Sequence, residues 1–323
     1  MSNIFPHDSQ ISNILKSNRE ATIQLEYTLR KFSTDPIKAF SLFDKIDIAN
    51  STSKQYKKCI VEFLNFLDKE TINFDVYLKY KKFLSERKDI KISTKNVYLS
   101  SAAVFLKELS RYGFIKDITV NVKHFVQDKR HKRFGHNREE IRRIFSKIDN
   151  LPLSIENTRL SGIFHLAALQ GLREIEISRL DVDDINIDKG LALIQGKGKD
   201  DKEPIYLSEL TKLSLKKHIE FNRLKSGALF FSLSNRTMGQ RITTRTIRYL
   251  YDTFKSDLNI NASMHGFRHF FTTELIKKGV PLNKVQMLTR HKSIGMLQIY
   301  NDEILNEEDS RTIYNDLASN IFE

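Results

Sequence analysis

Four short segments in the second half of the chain carry groups suited to acting on phosphate. They are Gly171-Leu172-Arg173, Gly196-Lys197-Gly198, His265-Gly266-Phe267-Arg268-His269, and Arg290-His291 followed nine residues later by Tyr300. A phosphodiester repels nucleophiles, so cleaving it without a metal needs fixed cations around the phosphate. Arginine suits this task because its planar fork binds two phosphate oxygens and stays charged. Arg173 follows a glycine break, which holds its head rigidly. Arg268 stands three residues after His265 on one expected helix, so the two share a face. Tyrosine, with an unperturbed pKa near ~10, is a weak nucleophile at neutral pH. Tyr300 therefore needs a base or a strongly positive site, and His265 and His291 are the candidate helpers. The leaving 5′-oxygen needs a proton as the bond breaks. Lys197, between two glycines that let the backbone approach a ligand, is the expected general acid. Lys199 and Lys202 compete for that role.

The spacing from His291 to Tyr300 makes a geometric demand. Nine steps of about 100° on one straight helix place two side chains on opposite faces. The pair converges only if the helix breaks between them. Lys292-Ser293-Ile294 supplies that break, with Ser293 as the expected new N-cap. His265 and His269, four apart, invite a metal reading. The zinc-protease pattern, however, needs glutamate straight after the first histidine, where this chain has Gly266. No metal and no cofactor are expected. His269 reads as a structural hydrogen-bonding residue and His165 as a core histidine.

The elements that must position these groups fall into two sets. The first half reads as helices over residues 11–32, 36–43, a segment opened by Ser51-Thr52-Ser53 as N-cap, 75–86 and 93–111, the last stopped by Gly113. It contains no catalytic constellation before residue 130. Residues 123–143 carry eight lysines and arginines against three acids, which fits a basic linker that neutralises backbone phosphates. After it, Asn137-Arg138-Glu139-Glu140 opens a new helix. Residues 158–170 are apolar on most sides and should form a buried helix ending at Gly171, a left-handed cap. The one convincing β region follows. Residues 184–187 and 191–194 flank an Asp188-Lys189-Gly190 turn, and a third strand over 203–207 completes a small antiparallel sheet. Pro204 places that third strand at an edge. Further helices are expected over 208–225, 244–257, 265–278, 281–289, 293–300 and, more weakly, 306–321. The fold class is thus mainly α with a small antiparallel sheet. The expected divisions are 1–48, a helical extension; 49–128, a helical DNA-binding domain; 129–137, a basic linker; and 138–323, a catalytic domain with a C-terminal tail.

Composition agrees. The 323 residues include 53 Lys and Arg against 40 Asp and Glu, a formal net charge of +13, which points to a polyanionic partner. No apolar run approaches the roughly 18–20 residues needed to span a bilayer, and the N-terminus lacks a signal-peptide pattern. No membrane partner is expected. The single cysteine, Cys59, excludes a disulfide framework and reads as a buried small hydrophobe.

Together these residues resemble the tyrosine site-specific recombinases, the family of phage integrases and Xer-type recombinases, most strongly over residues 160–301. Gly171-Leu172-Arg173 with Glu176 looks like the family's first-arginine box, with Glu176 a supporting acid. Gly196-Lys197-Gly198 looks like its β-hairpin lysine, and His265 and Arg268 match its His-x-x-Arg box. His291 matches the third basic position, and Tyr300 falls at the nucleophile's spacing. The resemblance implies a two-domain clamp around double-stranded DNA bearing specific recombination sites, a homotetramer on two such sites, and a possible accessory protein. It implies a 3′-phosphotyrosyl link at Tyr300, resolved by the freed 5′-hydroxyl of the partner strand without ATP, and work in the cytoplasm on the nucleoid. The tail after Tyr300 is expected to pack on a neighbouring protomer.

Three departures stand out. Arg290 replaces the family's usual glycine, Phe267 replaces the common leucine, and residues 1 to about 48 exceed the minimal Xer-type layout. Three rival readings have distinct signatures. A fold-retaining DNA-binding protein would not cut, a type IB topoisomerase-like enzyme would relax supercoils with the same chemistry, and a metal nuclease would die in chelator.

Overall fold

The computed structural model describes residues 8–127, 135–196 and 198–304. The expected linker core, Lys197 and the tail beyond residue 304 lie outside the described residues. The chain divides into two units, Met1–Asp128 and Lys129–Glu323. No helix among the described residues is long and apolar enough to cross a membrane.

The first unit is all helical: α1 (Asp8–Ser33), α2 (Pro36–Phe43), α3 (Asn50–Lys69), α4 (Val76–Glu86) and α5 (Ile92–Arg111). One apolar core joins them. Leu25, Leu29, Ala39, Leu42 and Phe43 are buried with Ile60, Phe63, Tyr80, Leu99 and Phe105. Cys59 is buried as a free thiol. Ser51, Thr52 and Ser53 do not cap α3. The helix starts one residue earlier, with Ala49 at the cap and no side-chain cap bond. Ser53 instead donates its hydroxyl to the Phe43 carbonyl at 3.3 Å, closing the connection from α2. Gly113 takes the left-handed conformation that ends α5, at φ 74°.

The second unit runs α6 (Arg138–Asp149), α7 (Ile155–Leu169), α8 (Glu174–Arg179), β1 (Ile185–Asn186), β2 (Leu191–Gln195), β3 (Lys202–Tyr206), α9 (Glu209–Phe221), α10 (Thr244–Phe254), α11 (Gly266–Lys277), α12 (Leu282–Thr289) and α13 (Gly295–Ile304). Asn137 caps α6 through a capping box with Glu140, as its spacing suggests. Helix α7 is buried nearly all round, with Ile163, Phe164, Leu166, Ala167 and Ala168 at the centre of the core. The sheet is antiparallel in the order β1-β2-β3, so Pro204, opposite Leu193, sits on an edge strand. The Phe267 ring is absorbed by an aromatic cluster, 5.5 Å from Phe164 and 5.3 Å from Tyr251.

Candidate active site

Gly171 starts the site. At φ +59° it is left-handed, and a Cβ there would stand 2.3 Å from a ring carbon of Phe271. Only glycine satisfies both demands. The turn ends α7 and places Arg173 at the N-cap of the short helix α8, which the sequence did not announce. Glu176, three residues on and fully buried, accepts from the Arg173 backbone N–H at 2.8 Å and from its guanidinium at 2.7 Å. A second guanidinium N–H of Arg173 donates to the Arg290 carbonyl at 3.0 Å. The clamp expected at Arg173 is therefore held on three sides.

Arg268 enters from α11. It is 2% exposed and donates to the Gly171 carbonyl at 2.7 Å and to the Thr289 carbonyl. Burial, with Arg173 close by, pushes its guanidinium down to about 9. Both expected arginines thus converge on the Gly171 turn.

The helix break required between His291 and Tyr300 is present. Helix α12 ends at Thr289, and Arg290 adopts the left-handed conformation at φ 55°, ψ 43°. The His291 N–H bonds back to the Gln286 carbonyl at 3.1 Å, the long bond of a Schellman cap. Such a cap favours glycine. In this chain the arginine keeps the backbone conformation and adds a side chain. That side chain is 9% exposed and lies 3.2 Å from Glu176 Oε2. It also donates to the Leu288 carbonyl at 2.7 Å. Helix α13 starts at Gly295, so Ser293 precedes the cap rather than forming it. The break comes from the left-handed Arg290 and the short turn after it.

Tyr300 is 4% exposed on α13, packed with Val285 and Leu297. Its ring lies 5.2 Å from that of His269 and 6.2 Å from that of His291, and a phenolate there would be held by Arg268. The His265 ring is 5.0 Å from that of His269, and an imidazolium there would repel a proton on His291. Burial and the Arg268 and Arg173 guanidiniums push the His291 imidazole down to about 3. Glu176 feels opposing effects. Burial would raise its carboxyl, but Arg290, Arg173 and Arg268 together hold it below the usual carboxylate range. Arg173, His265, Arg268, His291 and Tyr300 thus belong to one site carrying more cations than anions.

The hairpin lysines separate by their partners. Lys199 pairs with Glu203 at 3.0 Å, and Lys202 with Asp184 at 2.5 Å. Arg179 donates to the Gly196 carbonyl at 3.0 Å and anchors the hairpin end next to Lys197. His165 Nδ1 donates to the Ser161 carbonyl at 2.8 Å inside the core, as a core histidine should.

Two residues were not legible as parts of the site. His136, grouped with the linker by charge, is buried. Its backbone N–H donates to the Gly266 carbonyl at 3.3 Å, and its ring lies 4.6 Å from Phe267. It braces the His-x-x-Arg turn from behind. Thr289, an unremarked position in a helix end, is fully buried between Arg268 and His291.

A sequence model of the phage integrase family matches residues 136–306. The chain is 27% identical over 216 residues to tyrosine recombinase XerC of Lactobacillus delbrueckii subsp. bulgaricus, covering 64% of this chain and 71% of that protein. To tyrosine recombinase XerC of Thermodesulfovibrio yellowstonii it is 27% identical over 264 residues, 78% of this chain and 85% of that one. Among solved structures, XerH site-specific recombinase bound to palindromic difH substrate, a post-cleavage complex, matches with a TM-score of 0.67. That match has 18% identity and covers 91% of this chain and 96% of the other. A lambda integrase dimer bound to a COC' core site matches with a TM-score of 0.63 at 17% identity, covering 84% of this chain and 95% of the other. At these identities the solved structures speak for the fold.

Proposed function

This chain belongs to the phage integrase family of tyrosine site-specific recombinases, enzymes that cut and rejoin DNA strands, and on that premise we propose that Tyr300 is its nucleophile. Arg173 and Arg268 hold the scissile phosphate in this reading, from the Gly171 turn. One observation carries it: the chain breaks at Arg290 and returns a buried Tyr300 to the same place as His291 and the two arginines. A straight helix would have separated them.

The chemistry then proceeds in two balanced steps. The Tyr300 hydroxyl loses its proton to a histidine, its oxygen bonds to phosphorus, and the P–O5′ bond breaks. Lys197 protonates the leaving 5′-oxygen, because Lys199 and Lys202 already hold carboxylates. In the second step a 5′-hydroxyl gives its proton to the Lys197 amine left neutral by the first, its oxygen bonds to phosphorus, the bond from phosphorus to Tyr300 breaks, and the histidine returns its proton to the tyrosine. Arg173 and Arg268 neutralise charge that builds on the phosphoryl oxygens. The phosphotyrosyl link conserves the bond energy, so the cycle needs no ATP.

The substrate in this reading is double-stranded DNA with specific sites, bound by a homotetramer on two sites. The first unit is the proposed core-binding domain, and the formal net charge of +13 supports a salt-dependent phosphate interaction. The Xer recombinases among the relatives support an Xer-type role, in chromosome-dimer resolution or in integration and excision of a mobile element.

Covalent trapping tests the reading. Wild type and Tyr300→Phe are incubated with suicide duplexes carrying candidate sites, in excess chelator. A denaturation-stable protein–DNA adduct from wild type alone is the expected result. Salt-sensitive binding with neither adduct nor cleavage would identify a binding-only protein, and strand cleavage that leaves no adduct and stops in chelator would identify a metal nuclease.

A further inference from the structure

Helix α8 joins two parts of the proposed chemistry. Arg173 is its N-cap and Arg179 its last residue, about 9 Å further along at the helical rise. Both ends are fastened. At the start, Glu174 pairs with Arg248 of α10 at 2.6 Å, and Glu176 holds Arg173. At the end, Arg241 donates to the Ser178 and Leu180 carbonyls at 3.2 and 2.9 Å. Arg179 reaches the other way. Half-buried itself, it donates to the buried Gly196 carbonyl at 3.0 Å.

Gly196 directly precedes Lys197 in the chain. Its carbonyl accepts a second time, from the Lys199 N–H at 3.3 Å. Gly198, on the other side of Lys197, takes φ +75° with open space around it, so glycine is needed there for conformation alone. One carbonyl thus receives α8 and also closes the hairpin end. On the other strand Lys202 meets Asp184 at 2.5 Å, so the hairpin is tied on both strands. We propose that Arg179 is a positioning residue: through the Gly196 carbonyl it couples the hairpin end that carries Lys197 to α8, and so sets the general acid against the Arg173 clamp.

This inference rests on the reading of Lys197 as general acid. In that step the Tyr300 oxygen bonds to phosphorus, the P–O5′ bond breaks, and the Lys197 ammonium passes its proton to the departing oxygen. Proton transfer needs hydrogen-bond distance, so a loosened hairpin loses rate although every catalytic group is still present. Arginine suits the tie because it stays charged at any working pH. A sulfur in the bridging 5′ position separates this role from a structural one. A thiol loses its proton near ~8.5, so a thiolate departs without help from an acid.

The test measures adduct formation per folded molecule on two suicide duplexes, one with the ordinary 5′-oxygen at the scissile phosphate and one with a 5′-bridging sulfur. Arg179→Met keeps an unbranched stem without the donor. It should slow the oxygen duplex by on the order of tenfold to a hundredfold and leave the sulfur duplex within about threefold of wild type. Arg179→Lys, which still offers a donor, should recover most of the loss. Lys197→Met is the reference and should show the same pattern with a larger loss on oxygen. Equal loss on both duplexes in Arg179→Met would mark a merely structural residue, and no loss on oxygen would make the tie idle; either overturns the proposal. If sulfur rescues Lys197→Met but not Arg179→Met, the positioning role alone falls. If sulfur does not rescue Lys197→Met, the general-acid reading falls and takes the role of Arg179 with it. Amide hydrogen exchange without DNA checks the tie directly. In Arg179→Met the Lys199 amide should exchange about tenfold faster, while the Ile177 amide, bonded within α8 to the Arg173 carbonyl, holds. An unchanged Lys199 amide, or equal loss at Ile177, overturns the proposal. A wild type that forms no adduct on either duplex would sink the recombinase reading, whatever exchange shows of the tie.

Discussion

The two units bury different things. The first buries rings: Phe63 lies 4.8 Å from Tyr80, Phe32 5.3 Å from Phe105, and Phe66 5.2 Å from Tyr80. The second also has an aromatic cluster, but it takes Arg268, Glu176, His218 and Thr289 out of water as well. Buried charge is costly unless it is paired and hydrogen-bonded. Apolar packing would be the simpler route to stability, as the first unit demonstrates. The buried charges gathered around the Gly171 turn therefore mark it as the candidate site.

The largest expected effect belongs to the first unit. Phe105→Ala removes a fully buried ring that touches Phe32, Phe43 and Phe63. It should cost about 3–5 kcal/mol of stability, read from urea unfolding. Adduct formation per folded molecule should hold. If the adduct yield collapsed while folding remained intact, the separation of packing from chemistry would be wrong.

Glu176→Gln is the counterpart in the second unit. It leaves Arg173 and Arg290 facing each other without the carboxylate that both now contact. Breaking a buried pair of this kind costs about 3 kcal/mol. Here stability and adduct yield should fall together, because the same carboxylate neutralises the arginines and aims Arg173. A stable variant that still cleaves would show that the anion is dispensable to the clamp.

Acid should also divide the two units. His136, His165, His218 and His291 of the second unit are all held below their ordinary range, each first of all by burial. His218 falls to about 4. A histidine whose folded value is depressed binds fewer protons folded than unfolded. Its stabilising contribution is complete above the unfolded value near ~6.5 and drains away as pH falls towards the folded one. Between pH 7 and 5, His218 alone should cost the second unit about 2 kcal/mol. Among the described residues of the first unit, the one histidine is His124, which is exposed. Hydrogen exchange at the two pH values, corrected for intrinsic rates, should show protection lost in the second unit first. Equal loss in both units would refute the contrast.

The same contrast explains what the sequence could reveal. Local rules reach the Gly171 turn, the Asn137 cap, the sheet with Pro204 at its edge, and the break between His291 and Tyr300. Each is dictated by residues within a few positions. Long-range partners are not. Nothing local to Arg290 says that its side chain meets Glu176, 114 positions away. Nothing local to His136 says that it bonds Gly266. The Ser51–Ser53 cap failed because three adjacent candidates left the start of α3 ambiguous, and the contact from Ser53 to Phe43 decided it. Thr289 was invisible because its carbonyl meets Arg268, 21 positions away.

The smallest expected effect is the one closest to the chemistry. Arg290→Gly restores the residue that a left-handed C-cap favours. Relieving φ 55° at a non-glycine residue should return about 1 kcal/mol. Against that gain, the variant loses the contact with Glu176. It also loses a guanidinium whose Nε is buried without a partner among the described residues. These contributions oppose each other, so unfolding should change by less than about 1 kcal/mol. The backbone carbonyl that receives Arg173 stays in place. What should move is the local field. With one cation fewer near it, the His291 imidazole should titrate at higher pH than in wild type, as followed by its ¹⁵N shifts. A large stability loss would make Arg290 a structural pillar. Near-constant stability with a displaced His291 titration would show that the arginine sets the electrostatics of the site.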